Sequence, residues 1–447
     1  MSMFRKDLIP NLVVIALAVA AGLVMIALTG AERSNFVDSE DYIAAAQMIL
    51  REGAYPASGI LPFFRAPLYP LFITGVWSVF SESFFAVKLF QIFLHAASAF
   101  FVLRTAEIVS RNRVVAFIAG VLFAVNPYFA ANAAAIQTET LQTFLITLAV
   151  FLMTGLLIRE NISVRNGVLM GIVFGLGALN KPSALGVGFV LVAFFLIYRF
   201  RERLSFVTST AAIAAMFVVI LPWSFYNLKT KGEFILINDA GGWVLWVGNV
   251  PESLTIYSGD FRSAREAVDY QDYVAKTMSS RQIAEFERTV GYSALTFKQR
   301  EALWRAKAVD LMTANPAMTA KLFLWKFYLY WKPYISGDVY TPLMVAASAV
   351  FGAMLFVLGF YGIYRYRSEG NVRSFALLFA VLAVFTTAVH VVIVSGIRLR
   401  LPYVDPLLTV FAAIVLNAIL VSIADRSGRF DVRKFFDRNR LTLDHRA

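Results

Sequence analysis

A carboxylate that takes a proton from an attacking hydroxyl and a guanidinium that grips a phosphate with two parallel hydrogen bonds are complementary tools. The segment 31–83 carries both, with Asp38, Glu40 and Asp41 followed by Arg65 in Phe64-Arg65-Ala66-Pro67-Leu68-Tyr69-Pro70. Plainer readings stand beside these: Asp38 can cap a helix, and Arg65 can pair with lipid headgroups. Glu139, in Gln137-Thr138-Glu139, is an isolated acid that solvation alone would explain. Further on, Arg398-Leu399-Arg400-Leu401-Pro402 places two cations just ahead of an apolar run, where an anionic partner is wanted. His390 stands roughly two turns before Arg398, either packed in its helix or a ligand; His95 reads as packed. Lys181 sits in the turn Asn180-Lys181-Pro182-Ser183 and has snorkelling to the interface as its alternative. No phosphate-binding P-loop, zinc-protease helix, dinucleotide glycine fingerprint or nucleophile elbow occurs. With no Cys in the chain, cysteine nucleophiles, disulfides and iron–sulfur clusters are excluded.

These residues have to be positioned by apolar elements. The 447 residues are 59% hydrophobic and 16% charged, with mean hydropathy +0.67, a composition too apolar for soluble cores of this size. Ten spans are expected, at 8–29, 84–103, 114–135, 141–158, 167–179, 184–198, 205–223, 341–363, 374–397 and 401–423. The first run is longer than the apolar core of a cleaved signal peptide, which reaches about 15 residues. A net charge of +12 raises nucleic acid as a partner, but its distribution argues against that. The arginine-rich turns 104–113, 159–165, 199–203 and 365–373, and the basic tail 425–447, all fall on the side of the N-terminus, whereas the opposite turns are nearly free of Lys and Arg. The positive-inside rule then gives N-in and C-in. Reading 167–198 as one kinked helix would invert every later loop, so two spans are preferred there.

The expected organisation is an N-terminal transmembrane module (1–225) holding the first outer loop (31–83), an outer loop region (226–340), C-terminal transmembrane helices (341–424) and the tail (425–447). Within the first loop, 39–51 reads as a helix opened by Asp38, and 67–80 as a short apolar helix along the interface. In the second, Thr296 and Gln299 form a capping box for a helix running to about Ala314, stopped by Asn315-Pro316. The aromatic stretch 322–331 follows as a boundary belt. No internal repeat is visible, which weighs against a transporter built from two related halves.

Several of these stretches, in this order, resemble the GT-C membrane glycosyltransferases. The nearer match is the branch of protein O-mannosyltransferases and the aminoarabinose transferase of lipid A. The stretches are Asp38-Ser-Glu-Asp-Tyr42 through Leu50, Gly53-Ala-Tyr55, Arg65-Ala-Pro-Leu-Tyr-Pro70, Thr138-Glu139, Gly177-Ala-Leu-Asn-Lys181-Pro, Pro222-Trp223 with Asn227, Gly241-Gly-Trp through Asn249, and His390 before Arg398-Leu-Arg-Leu-Pro402. The resemblance implies an all-α, polytopic GT-C bundle that takes a sugar from a polyprenyl-phosphate donor and passes it, with inversion, to a lipid, glycan or protein acceptor on the periplasmic face of a bacterial inner membrane.

On this resemblance Asp38 is the general base and Asp41 the alternative, while Glu139 assists the acceptor or a metal. Arg65, Arg398, Arg400 and Lys181 contact the donor phosphate, and Tyr42, Tyr69, His390 and Asn249 line the substrate. Two departures matter. An Arg of the relatives is Lys181 here, which loses a bidentate contact. The Glu-Lys-Pro-Pro of some relatives, whose Glu helps bind a metal, is Phe64-Arg65-Ala66-Pro67 here, so a divalent metal is the one cofactor left open. The implied partners are the lipid-linked donor, its acceptor and membrane lipids, with no nucleic acid. Competing functions are a flippase for a lipid-linked saccharide, and a glycan polymerase or ligase.

Overall fold

The computed structural model describes residues 2–34, 38–56, 65–158, 162–259, 261, 264–335 and 342–427. Phe64 and most of the basic tail lie outside these residues. The described chain is helical throughout. It opens with α1 (Ser2–Thr29), the first-loop helices α2 (Ser39–Glu52) and α3 (Leu68–Phe80), then α4 (Phe84–Ser110), α5 (Arg113–Ala124), α6 (Pro127–Ala133) and α7 (Glu139–Ile158). Next come α8 (Val164–Asn180), α9 (Ser183–Tyr198) and α10 (Arg203–Lys231). The second loop folds as α11 (Gly241–Val247), α12 (Ser253–Ser258), α13 (Ala264–Asp272), a π-helical turn Tyr273–Met278, α14 (Ser279–Val290), α15 (Phe297–Ala314) and α16 (Pro316–Trp331). The order closes with α17 (Pro342–Tyr366), α18 (Gly370–Val392), α19 (Ile397–Arg400) and α20 (Asp405–Ser427).

Among the described residues, seven helices are long and apolar enough to cross a membrane, or eight if one bent pair counts as a span. The ten expected crossings exceed this by α8 and α9, whose 17 and 16 residues reach only about 25 Å at 1.5 Å per residue. The bent pair is α5 and α6, so the span expected at 114–135 is present as a broken one. They meet at 53°, because Pro127 has no amide to donate and Asn126 caps the new helix, accepting from the Tyr128 amide at 3.0 Å. The ninth span also ends earlier than expected, at Val392, leaving Arg398 and Arg400 on the separate single turn α19.

Small residues set the direction of α8, α9 and α10. The Cβ position of Gly177 faces Ala184, and that of Gly188 faces Phe174, so contacts mirror about Lys181 and α8–α9 is an antiparallel hairpin. On α10, Gly167 faces Thr208, Gly171 faces Ala212 and Gly175 faces Met216. The constant offset means that α8 and α10 run parallel. A Cβ on Gly171 would collide with the Ala212 carbonyl, so the four-residue glycine stripe is what lets these backbones touch. The two-helix reading of 167–198 therefore holds, and Lys181 lies at the hairpin tip. At the far end of the bundle, Arg199 donates to the Leu157 carbonyl (3.2 Å) and Asn371 to the Ile108 carbonyl (3.5 Å). These bonds draw the arginine-rich turns together, away from Lys181.

The second loop has a small core of its own around Trp243, Trp246, Phe286, Tyr292 and Trp304. Two of its indoles are satisfied: Trp304 Nε1 donates to the Tyr292 hydroxyl (3.0 Å) and Trp243 Nε1 to Ser279 Oγ (2.8 Å). The capping box at Thr296 and Gln299 is present and opens α15.

Candidate active site

The first loop is fixed to the turn before α7 by its backbone. Ser39 Oγ donates to the Ile136 carbonyl at 2.6 Å, and the Ile136 amide donates to Ser34 O at 3.2 Å. Behind them, the Tyr69 hydroxyl donates to Gln91 Oε1 (2.6 Å), whose amide donates to the Ala133 and Ala135 carbonyls (3.0 and 2.7 Å). This brings α2, α3 and the start of α7 to the end of the bundle that holds the α8–α9 tip.

Asp38 occupies the N-cap position of α2, as the sequence suggests, yet its side chain makes no cap hydrogen bond. The carboxylate turns outward instead. Arg398 Nη2 lies 2.7 Å from one oxygen, and Arg65 Nη2 3.5 Å from the other. Arg398, reinforced by Arg65, outweighs the opposing effect of burial and holds the Asp38 carboxyl well below the usual carboxylate range. The pair is also the accessible part of the site, with side chains 35% (Asp38) and 44% (Arg398) exposed.

Arg65 is held chiefly by the buried Asp41, with Nη2 at 2.8 Å and Nε at 2.9 Å from the same oxygen. Its guanidinium also lies 5.1 Å from the centre of the Tyr42 ring. Asp41 therefore anchors a cation here, and the orientation of Arg65 follows from it. Glu139 and Lys181, both nearly buried, pair at 2.8 Å. Charge from Lys181 reaches Asp38, and charge from Glu139 reaches Arg398, so the two clusters form one electrostatic unit. Three carboxylates (Asp38, Asp41, Glu139) face three cations (Arg65, Lys181, Arg398), and the group is neutral.

Other expected site residues have different neighbours. Arg400 does not face the site, which corrects its expected phosphate contact. It is 1% exposed, bridges both oxygens of Asp405 (2.7 and 3.1 Å), and donates to the Tyr330 and Lys332 carbonyls (2.8 and 2.9 Å). Residues two apart on a helical turn point about 200° away from each other, so Arg398 and Arg400 cannot share one ligand. Tyr69 is fully buried and acts as a prop: its ring meets Tyr42 edge-on, with centroids 5.2 Å apart. Asn249 is buried and its side chain is taken up by Leu245, Val392 and Lys326. His390 stacks on Tyr330 with Nδ1 at 3.2 Å from the Val394 carbonyl; its Nε2 has no hydrogen-bond partner among the described residues.

Sequence reasoning did not single out Asp405 and read Lys326 only as a lysine of the boundary belt at 322–331, whereas it is buried; the partners of both are set by tertiary structure. Tyr55 stood within a quoted stretch without a role. Its hydroxyl donates to the Arg65 carbonyl (2.9 Å) and its amide to the Tyr226 hydroxyl (3.0 Å), so it ties the Arg65 segment to α10.

The donor set does not fit a divalent cation. Each carboxylate is already matched by a basic side chain within 3 Å, and among the described residues no three metal-ligating side chains converge.

Residues 64–226 match the family dolichyl-phosphate-mannose-protein mannosyltransferase. No curated protein matches the sequence. Among solved structures, the chain is similar to the archaeal oligosaccharyltransferase AglB from Archaeoglobus fulgidus, in complex with an inhibitory peptide and a dolichol-phosphate. The TM-score is 0.55 at 12% identity, over 94% of this chain and 51% of that one. The Archaeoglobus fulgidus oligosaccharyltransferase tethered to an acceptor peptide containing the NVT sequon gives 0.55 at 14% identity, over 96% and 52%. ArnT from Cupriavidus metallidurans bound to undecaprenyl phosphate gives 0.41 at 15% identity, over 94% and 80%. The chain spans about half the length of the archaeal structures. The fold is that of a polytopic GT-C membrane protein. The family match is confined to residues 64–226, and the likeness to the archaeal structures is one of fold.

Proposed function

We propose that this protein is an inverting glycosyltransferase that uses a polyprenyl-phosphate sugar as donor, with Asp38 as general base. The reading places it in a bacterial inner membrane, N-in and C-in, with the six-charge site on the periplasmic side. The opposite location of the arginine-rich turns supports that orientation. The observation that carries the chemistry is the exposed Asp38–Arg398 pair at 2.7 Å, a base and a phosphate-binding cation already in contact. Archaeal AglB has been solved with a dolichol-phosphate, which supports a lipid-phosphate donor for the same fold.

The charges suggest how the step runs. The donor is a phosphodiester with one negative charge, and its phosphate competes with Asp38 for Arg398. As the acceptor hydroxyl attacks the anomeric carbon, its proton passes to Asp38, the new C–O bond forms, and the bond to the phosphate oxygen breaks. The leaving polyprenyl phosphate keeps the electron pair and gains the charge that Asp38 loses. The net charge of the site does not change, and Arg398 follows the negative charge from carboxylate to leaving group. One displacement inverts the anomeric configuration. Arg65, locked by Asp41, and the Lys181–Glu139 pair border the same space. Burial pushes the hydroxyls of Tyr42 and Tyr55 up, away from a role as base.

The test is transfer in proteoliposomes with defined polyprenyl-phosphate sugars and candidate lipid, glycan and peptide acceptors, the products read by mass spectrometry. Asp38→Asn is expected to fold and insert but to lose transfer by about 10²–10⁴; turnover at the wild-type rate would overturn the assignment. Addition of a single sugar excludes a polymerase, and bond cleavage excludes a flippase.

A further inference from the structure

The Gly241–Asn249 stretch and the buried Lys326 take no part in the reaction above, yet they meet the segment that carries Arg398. Asn249 Nδ2 donates to the Val392 carbonyl at 2.9 Å and to Leu245 O at 2.8 Å. Its Oδ1 accepts from Lys326 Nζ at 2.9 Å. The same Nζ donates to the Val392 and Ile393 carbonyls at 3.2 and 3.0 Å. Lys326 is completely buried, and among the described residues no carboxylate pairs with it. Tyr257 from α12 and Phe323 face it with their rings, 5.6 and 5.5 Å away.

Three acceptors surround the nitrogen, which is the number of N–H groups an ammonium offers. Two of them are carbonyls at the C-terminal end of α18, left without intrahelical partners and at the negative end of the helix dipole. Burial draws the Lys326 pKa down to about 7, and these acceptors favour the charged form. Gly248 adds a close approach, since a Cβ there would collide with the Ile393 carbonyl. Ser395 Oγ closes the loop by donating to the Lys326 carbonyl at 2.6 Å.

Arg398 follows three residues later. On its other side, Arg400 is fixed to the Tyr330 and Lys332 carbonyls of the same chain stretch. The segment bearing Arg398 is thus suspended between two anchors that both lead to α16. We propose that Lys326, with Asn249, is a positioning pair that holds the 392–395 segment so that Arg398 meets the Asp38 carboxylate. The outer-loop stretch Gly241–Asn249 then acts on catalysis through this segment, without touching substrate. This rests on the reading of Arg398 as the donor-phosphate contact.

The experiment uses the full chain in proteoliposomes and compares Lys326→Met, Lys326→Arg, Arg398→Ala and the double variant Lys326→Met with Arg398→Ala. Lys326→Met is expected to lower kcat/KM by about 10²-fold, the penalty of a misplacement near 1 Å. Lys326→Arg should recover at least tenfold of that. The double variant should be within about twofold of Arg398→Ala alone, because a positioning residue has nothing left to position. Hydrogen exchange in Lys326→Met should accelerate at amides 393–399 and stay unchanged in α4. If Lys326→Met does not insert, Asn249→Leu replaces it in the same comparisons. Multiplicative losses in the double variant, or unchanged exchange at 393–399, would overturn the proposal. If Arg398→Ala transfers sugar normally, the donor-contact reading fails instead, and the exchange data still decide whether Lys326 holds the segment.

Discussion

Replacing Arg398 by Gln separates the ground state of the site from its transition state. In the resting protein Arg398 lies 2.7 Å from the Asp38 carboxylate. Two unit charges about 4 Å apart interact by roughly 4 kcal/mol at an effective dielectric of 20. With both side chains more than a third exposed, solvent screening brings this to at most about 1 kcal/mol. Losing a donor aimed at a developing oxyanion costs about 2.7–4 kcal/mol. The Gln variant loses that contact but no longer has to detach Arg398 from Asp38. The difference is about 2–4 kcal/mol, a fall in kcat/KM of roughly 30- to 1000-fold.

The pH profiles carry the sharper expectation. Arg398 is the largest influence holding the Asp38 carboxyl low, with Arg65 behind it and burial opposing. If Asp38 is the base, as proposed, it must be ionised to work, so activity should be lost as pH falls through its folded pKa. In the wild type, kcat/KM reports the free protein and should stay flat through the ordinary aspartate range near about 3.9. In Arg398→Gln the acid limb should move up into that range. The wild-type kcat profile reports the donor complex and, if Arg398 moves to the phosphate there as proposed, should already bend in that range. Steady-state transfer rates from pH 3.5 to 8, with a donor checked for acid stability, decide the matter. An acid limb that does not move, or a loss in kcat/KM below about threefold, would refute the hand-over of Arg398 between carboxylate and phosphate.

Two other outcomes follow from the pairings. Arg400→Met leaves Asp405 buried and unpaired, so stability in detergent should fall by about 3–5 kcal/mol, read as a lower midpoint of thermal unfolding, whereas Arg398→Gln should change that midpoint little. Because the acidic residues of the site are each matched by a basic side chain, incubation with EDTA should leave the transfer rate within about twofold; a loss restored by a divalent cation would show that a carboxylate leaves its partner to bind metal.

Much of the helical framework was legible because it depends on local patterns. The helix opened by Asp38, the capping box at Thr296 and the Asn315-Pro316 stop involve residues within a few positions of one another, and each lies where the sequence puts it. The failures share a different cause. The apolar run at 114–135 passes through Asn126 and Pro127, and hydropathy does not register that Pro127 removes a backbone donor. Partner choice was illegible for a further reason: Asp38 meets Arg398 across some 360 positions and Glu139 meets Lys181 across 42, distances at which charge type carries no address.

The Arg398-Leu399-Arg400 pair marks the boundary between what could and could not be read. Both residues are cations ahead of the last long helix, and residue type gives them the same role. Helical geometry does not, since a two-residue spacing turns one away from the surface the other faces. That much was available from the sequence once α19 is taken as helical, but which of the two faces the site was not. Asp405 decides it, by pairing with Arg400 across the turn 401–404 and drawing it into the core. Arg398 is left as the exposed cation, and the Asp38 opposite it is the carboxylate most open to an acceptor. The division of labour between two adjacent arginines therefore follows from one buried aspartate. Asp405→Asn should weaken the anchor while keeping its shape, so transfer should fall through a higher donor KM rather than through loss of the base. A variant with unchanged KM would mean that the Arg400 anchor does not govern where Arg398 points.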